Sequence, residues 1–128
     1  MDTAKKILLV EDEEVFIEMF GNKLKQDGYD ITCAQNGAWG IKEALAGSFD
    51  LIIMDMVMPA MSGEEMLNKL KLDDETKNIP IVVLSASVDQ ATQDRVMASG
   101  VQEFFIKTHV TPSELSKRVA EILSSDKK

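Results

Sequence analysis

The sequence predicts an α/β fold: a parallel five-stranded sheet packed between helices as a three-layer sandwich. Three observations carry that expectation. The apolar runs at 7–10, 51–54 and 81–84 read as strands buried on both faces. Strand-like and helix-like stretches alternate five times, which implies right-handed crossovers with helices on both faces of the sheet. No linker, repeat or low-complexity tract interrupts the alternation. Residues 1–128 are therefore expected to form one domain, with its core over about 5–124 and a polar tail at 124–128.

Taken in order, the run at 7–10 ends in Glu11, Asp12, Glu13 and Glu14. A helix follows from about Glu13 to Asp27, with Val15, Phe16, Met19, Phe20 and Leu24 spaced as its inward face. Acids in its first turn and Lys23 and Lys25 near its end suit the helix dipole, and Gly28 is a natural stop. Residues 29–34 form a shorter, more polar strand nearer a sheet edge, with Cys33 as a small buried filler. Asn36 caps a helix over 37–46 in which Ala38, Ile41, Ala44 and Leu45 point inward and Trp39 is partly buried. The run at 51–54 leads into Asp55, and a loop around Pro59 follows. Ser62 and Glu65 then have capping-box spacing and open a helix to Leu72, with Met66, Leu67 and Leu70 inward.

A polar connector, 73–78, leads to Pro80, placed where a strand can start without losing a ladder donor. The strand at 81–84 runs into Ser85, Ala86 and Ser87. Ser87 and Gln90 repeat the capping-box spacing and open a helix to about Ser99, with Val88, Ala91, Val96 and Met97 as its apolar set and Gly100 as its end. Residues 101–106 are the last strand, ending in Lys107. Thr111, Pro112 and Glu114 combine a capping box with proline at the first helical position. The last helix runs to about Leu123, with Leu115, Val119, Ile122 and Leu123 inward.

Composition excludes several function classes. A formal net charge of −8 is the opposite of a nucleic-acid-binding footprint and disfavours anionic membrane surfaces. No apolar run approaches the roughly 20 residues that span a bilayer, and the run at 7–10 is too short for a signal peptide. One cysteine, Cys33, excludes an internal disulfide and is compatible with a reducing cytoplasm.

The chemistry gathers after the strands. The first strand is followed by Glu11 and Asp12, the third by Asp55, the fourth by Ser85 and the fifth by Lys107. In a parallel sheet all five share the carboxyl edge, where open α/β sheets place their binding crevices. Two carboxylates about 4 Å apart repel by roughly 4 kcal/mol at an effective dielectric near 20. Lys107 offsets part of that, and a hard cation such as Mg²⁺ fits the rest. The set suits phosphoryl transfer: Asp55 as a carboxylate nucleophile forming an acyl phosphate, Asp12 on the metal, Glu11 on it directly or through water, Ser85 and Lys107 on phosphoryl oxygens.

At these residues the chain resembles a response-regulator receiver domain of the chemotaxis-regulator type, over essentially its whole length. The matching motifs are Ile7-Leu8-Leu9-Val10-Glu11-Asp12-Glu13; residues 50–63, with Asp55 followed by Met58-Pro59; Leu84-Ser85-Ala86; and Phe104-Phe105-Ile106-Lys107. The resemblance implies a flavodoxin-like (βα)5 fold with strand order 2-1-3-4-5. It implies that Asp55 accepts a phosphoryl group from a phosphohistidine on a sensor histidine kinase or histidine phosphotransfer protein. It implies Mg²⁺ held by Asp12, Asp55 and the backbone carbonyl of Val57, with Glu11 assisting. Phosphorylation would then draw Ser85 to the phosphate and let Phe104 turn inward, Ser85 and Lys107 gaining a partner only in the modified state. The helix over 87–99, the last strand and the last helix would change as a partner-binding face. That face would serve an unspecified downstream protein in a monomer or weak dimer. Such a chain is not a free-standing enzyme; it catalyses only its own phosphorylation and dephosphorylation.

The chain departs from the family's usual pattern at four places. Glu11 stands where Asp is commoner, Phe104 replaces tyrosine and so lacks a hydroxyl, and Ser85 replaces threonine. Thr108 stands where proline usually follows the lysine. A cis bond before a non-proline residue costs about 2.5–4 kcal/mol, so a trans Lys107–Thr108 bond or a rearranged loop is expected. His109, the only histidine, is expected to be solvated. The methionines at 54, 56, 58 and 61 are expected to pack in core and loop, split between faces by strand alternation, instead of binding a soft metal. Two other readings are open. One is a receiver-like interaction module that works without phosphorylation. The other, an Asp-x-Asp phosphatase, is disfavoured because Val57 stands where its general acid should be.

Overall fold

A computed structural model describes residues 4–86 and 88–125. The elements are β1 (Lys6–Val10), α1 (Glu14–Gln26), β2 (Asp30–Ala34), α2 (Gly37–Ala46), β3 (Leu51–Met54), α3 (Gly63–Leu72), β4 (Ile81–Ser85), α4 (Gln90–Ala98), β5 (Glu103–Ile106), a 3-10 turn over Lys107–His109, and α5 (Pro112–Ser125). Every strand pairing is parallel and the order is β2-β1-β3-β4-β5, the flavodoxin-like (βα)5 sandwich. Register aligns the carboxyl ends: Val10 faces Met54 across β1–β3, and Ser85 faces Ile106 across β4–β5.

The period-2 alternation of strands sorts the core into two layers. Leu8, Val10, Ile52, Met54, Ile81 and Val83 point to one face, where Ala44 of α2, Met66, Leu67 and Leu70 of α3 and Val96 of α4 cover them. Ile7, Leu9, Leu51, Ile53, Val82 and Leu84 point to the other, under Phe20 and Leu24 of α1 and Leu115, Val119, Ile122 and Leu123 of α5. The central strands β1, β3 and β4 are buried on both sides, as their continuous apolar runs require, whereas β2 at the edge is only partly covered.

Local chemistry sets most boundaries as expected. Asn36 accepts from Trp39 N at 2.7 Å, Ser62 from Glu65 N at 3.1 Å, and Thr111 from Glu114 N at 3.0 Å, with Glu114 returning a bond to Thr111 N. Gly28 and Gly100 both carry the positive φ expected past a helix end.

Several inward faces differ from the sequence reading. On α1, Val15 and Met19 are exposed, while Phe16, Ile17, Phe20, Gly21 and Leu24 turn toward the interior. Both flanks of the Phe16–Phe20–Leu24 row are apolar, so spacing alone leaves the phase open by about one residue. On α2, Ala38 and Leu45 are exposed, Ile41 is half-buried, and Gly37, Gly40 and Ala44 are buried. A Cβ on Gly40 would stand 3.0 Å from Val10 Cγ2, so this helix lies close on the sheet through its small residues. Hydrophobicity ranks miss a face chosen for smallness.

The helix expected from Ser87 begins at Gln90, capped by Asp89, which accepts from Thr92 N at 2.7 Å; Ser87 itself lies outside the described residues. Of its expected apolar set only Val96 is buried, Ala91 and Met97 are exposed, and Val88 precedes the helix, packed against the core. The last strand starts at Glu103, two residues later than expected, with Val101 buried just ahead of it. Cys33 is half-buried on the edge strand, and that burial pushes its thiol up. Met54, Met56, Met58 and Met61 are not split between faces; all four pack into the layer beneath α2 and α3. The last helix extends to Ser125, and the rest of the expected tail, 126–128, lies outside the described residues.

Candidate functional site

The ladder carries Glu11 and Asp55 to the same edge. Glu11 N donates to Ala34 O at 2.9 Å and Asp55 N to Val10 O at 3.1 Å, so both acids continue their strands by one residue. Ser85 closes β4 beside them, and Lys107 opens the turn after β5. All four side chains are buried, although three carry charge.

Asp55 is held at both oxygens. Its Oδ1 accepts from Ser85 Oγ at 2.7 Å and from Val57 N at 3.1 Å, and its Oδ2 from Lys107 Nζ at 2.8 Å. Ser85 Oγ also accepts from Met56 N at 3.3 Å. Lys107 Nζ lies 2.9 Å from Glu11 Oε1, 3.0 Å from Glu11 Oε2 and 3.1 Å from Glu13 Oε1, and 4.5 Å from the centre of the Phe16 ring. Burial would depress the lysine pKa, but hydrogen bonds to Asp55, Glu11 and Glu13 outweigh it and hold the group above its ordinary value. Burial pushes Glu11 up, opposed by its bonds to Lys107 and to Glu13 N. Among the described residues no buried side-chain polar atom lacks a partner.

The five residues read from sequence thus converge, with differences of detail. Ser85 and Lys107 were expected to find a partner only after modification; both are already bonded to Asp55. Phe104 was expected to turn inward on modification; it is already buried, 8% exposed, in the layer beneath α2, α3 and α4. Asp12 is exposed at the mouth, and Val57 places its backbone N on Asp55 with its side chain outward. The Lys107–Thr108 bond is trans, since no cis bond occurs among the described residues, and the loop takes a 3-10 turn there. His109 is exposed. The sequence reading missed Glu13 and Phe16. Glu13 belonged to the visible acid run, but its reach to a lysine 94 positions away leaves no local signal.

Carboxylate oxygens of Glu11, Asp12 and Asp55 lie within 4.8 Å of one another. Opposite ligands of octahedral Mg²⁺, bound at 2.0–2.1 Å, stand about 4.2 Å apart, so an all-oxygen set of this span fits the ion after small side-chain shifts. The acids also repel one another. Asp12→Asn should therefore raise the melting temperature in metal-free buffer by the equivalent of under about 1 kcal/mol, modest because Asp12 is exposed. A lower melting temperature would argue against a repulsive cluster.

A doubly wound sheet with acids, a hydroxyl and a lysine on its carboxyl edge suits phosphoryl transfer, and sequence comparison supplies the family. The family model described as "Response regulator receiver domain" matches residues 7–120, and the chain belongs to that family. It is 30% identical over 108 residues to the polar-differentiation response regulator DivK of Brucella anthropi, covering 84% of this chain and 88% of DivK. It is 32% identical to hybrid signal transduction histidine kinase D of Dictyostelium discoideum, covering 96% of this chain but spanning only 8% of the kinase's length. Among solved structures, the chemotaxis response regulator CheY4 of Vibrio cholerae superposes with a TM-score of 0.85 at 27% identity, covering 94% of this chain and 99% of that one. The chain is thus a receiver domain of two-component systems, and receiver domains are signalling domains and not classical enzymes. Among the described residues no helix is long and apolar enough to cross a membrane.

Proposed function

We propose that this chain is a phosphorylation-switched signalling domain that takes a phosphoryl group on Asp55 from the phosphohistidine of a sensor histidine kinase or a histidine phosphotransfer protein. The observation that supports this best is the fixing of Asp55: two donors on Oδ1, one ammonium on Oδ2, and two further acids beside it. An Asp55 oxygen attacks phosphorus, the new O–P bond forms as the P–N bond breaks, and the imidazole leaves with a proton from solvent. Ser85 and Lys107 move their hydrogen bonds from the carboxylate to the phosphoryl oxygens. Asp12, Asp55 and the Val57 carbonyl, with Glu11 assisting, would hold Mg²⁺, which when bound offsets charge between carboxylate and phosphoryl.

The switch follows from lost and gained partners. Once Ser85 follows the phosphoryl group it leaves Met56 N, and β4 and the loop into α4 adjust. The equilibrium shifts by the difference in affinity between the two conformers. The face formed by α4, β5 and α5 would carry the change to a downstream protein, with the chain monomeric or weakly dimeric through it, in the cytoplasm, and without nucleic acid or membrane as direct partner. Phe104 would act in that switch from its buried position. The whole of 1–128 would act as one domain.

The test is incubation with Mg²⁺ and acetyl phosphate, read by intact mass. Wild type should gain one phosphoryl group, and Asp55→Ala none. No gain on wild type, or an equal gain on the variant, overturns the proposal and leaves the interaction module that needs no phosphorylation.

A further inference from the structure

Lys107 is 3% exposed and has three N–H donors, yet three carboxylates, Glu11, Glu13 and Asp55, lie within hydrogen-bond distance of them. Two of these acids, Glu11 and Asp55, belong to the set that could hold a metal. Glu13 does not, and its side chain is 56% exposed. Glu13 is nonetheless tightly placed. Its N donates to Glu11 Oε2 at 3.0 Å, and its carbonyl accepts from Phe16 N and Ile17 N as the N-cap of α1. Its side chain makes no cap bond at that helix start. Among the described residues the carboxylate is therefore bonded to Lys107 alone. The ammonium also lies 4.5 Å from the centre of the Phe16 ring, three residues further along the chain.

We infer that Glu13 is a positioning residue for phosphoryl transfer, holding the third N–H of Lys107 and competing for it with the phosphoryl oxygens that arrive at Asp55. This rests on the receiver reading above. As Asp55 forms its bond to phosphorus and the donor's leaving group departs, Lys107 must turn an N–H from a carboxylate to the phosphoryl group. A carboxylate at 3.1 Å opposes that turn in two ways. It retains the ammonium by attraction, and it repels the incoming anion. A cation entering among Glu11, Asp12 and Asp55 has the opposite preference, because the charge of Glu13 adds to the local negative field. Glu13 thus sets the balance between anion and cation affinity at one site.

Glu13→Gln keeps the length and an accepting oxygen but removes the charge. Beryllofluoride, a phosphoryl mimic, should bind this variant about three- to fivefold more tightly, the scale of a half-exposed ion pair. Phosphorylation by acetyl phosphate should speed up by a similar factor, with acetate leaving as the O–P bond to Asp55 forms. Mg²⁺ alone, followed by amide chemical shifts, should bind two- to threefold more weakly. A residue that only supported α1 would move both affinities in one direction. Glu14→Gln is the control, because it removes an exposed acid of the same first turn that has no ion pair among the described residues.

The expected result is opposed shifts in Glu13→Gln and neither shift in Glu14→Gln. Equal affinities in Glu13→Gln and wild type overturn the inference, and so do matching shifts in the two variants, which would mark a diffuse field effect. Glu13→Ala, which also removes the accepting oxygen, repeats the measurement if the glutamine variant folds poorly. Should wild type itself bind neither beryllofluoride nor Mg²⁺, the receiver reading fails, an outcome separate from a wild type that binds both and a Glu13→Gln that matches it.

Discussion

Gly63→Ala is expected to lose about 1–3 kcal/mol of stability and to impair Asp55 beyond that loss. A Cβ at position 63 would run into Met56 Cα and stand 2.8 Å from Asp55 O and 2.8 Å from Met56 Sδ. The first two are backbone atoms, so no rotamer change relieves the clash. Overpacking of this kind costs typically 1–3 kcal/mol and occasionally more, while the better helix propensity of alanine returns up to about 1. The strain also has an address. Gly63 N donates to Met56 O at 2.9 Å, which closes the loop that leaves Asp55 and re-enters as α3. Pushing that loop away moves the Asp55 carbonyl and Val57 N, a donor to the acidic side chain. Misplacement of a reacting group by 1 Å can cost on the order of 10²-fold in rate. Urea midpoints and acetyl phosphate kinetics should therefore both fall. Gly40→Ala is the comparison: its Cβ would meet Met66 Cε at 2.8 Å and Val10 Cγ2 at 3.0 Å, side-chain ends that can yield in part, so it should cost less and leave the site intact. An unchanged urea midpoint for Gly63→Ala would show that the loop has slack that the contacts do not suggest.

What the sequence made legible follows from which forces act locally. The runs at β1, β3 and β4 are apolar because both faces are covered, and that covering follows from crossovers of one hand. Placing Glu11, Asp55, Ser85 and Lys107 on one edge then needs only parallel strands, so the site was readable once the fold was. The face of α2 was not readable, because Gly37 and Gly40 are chosen for close approach and carry no hydrophobic signal. The start of α4 was misread because Ser87 and Asp89 both precede plausible first turns, and the side-chain bond to Thr92 N belongs to Asp89. The resting partners of Ser85 and Lys107 were missed for another reason. A buried site has to satisfy its polar atoms whatever it later binds, so the groups proposed to meet a phosphoryl oxygen are bonded to one another without it.

Lys107→Met should destabilise the protein by about 3–5 kcal/mol near neutral pH, the range for removing one partner from a buried charge set. Methionine keeps the stem's length and packing but leaves Glu11 and Asp55, 1% and 3% exposed, facing each other without the ammonium between them. The variant can limit that cost by protonating one acid, and this gives the prediction a definite pH sign. Glu11 is already pushed up from its ordinary 4.5 in the wild type by burial, and loss of the lysine removes the chief influence that lowers it. A native acid whose pKa lies above its unfolded value keeps a proton that the unfolded chain has released. Stability of the variant should therefore fall as pH rises from the unfolded value toward the raised native one, and recover on acidification. At the alkaline end the wild type changes instead. Lys107 is held above its ordinary 10.5, so its contribution is fully present below that value and is lost only as pH rises through the higher native pKa. The gap between the two proteins should be widest between these limits and narrow at both ends, a shape that urea midpoints across pH would trace. A gap constant with pH would mean that the titration of Glu11 and Lys107 contributes nothing to it. Mg²⁺ supplies the second arm: a cation taken up by Glu11, Asp12 and Asp55 replaces the missing positive charge, so it should raise the variant's melting temperature more than that of the wild type.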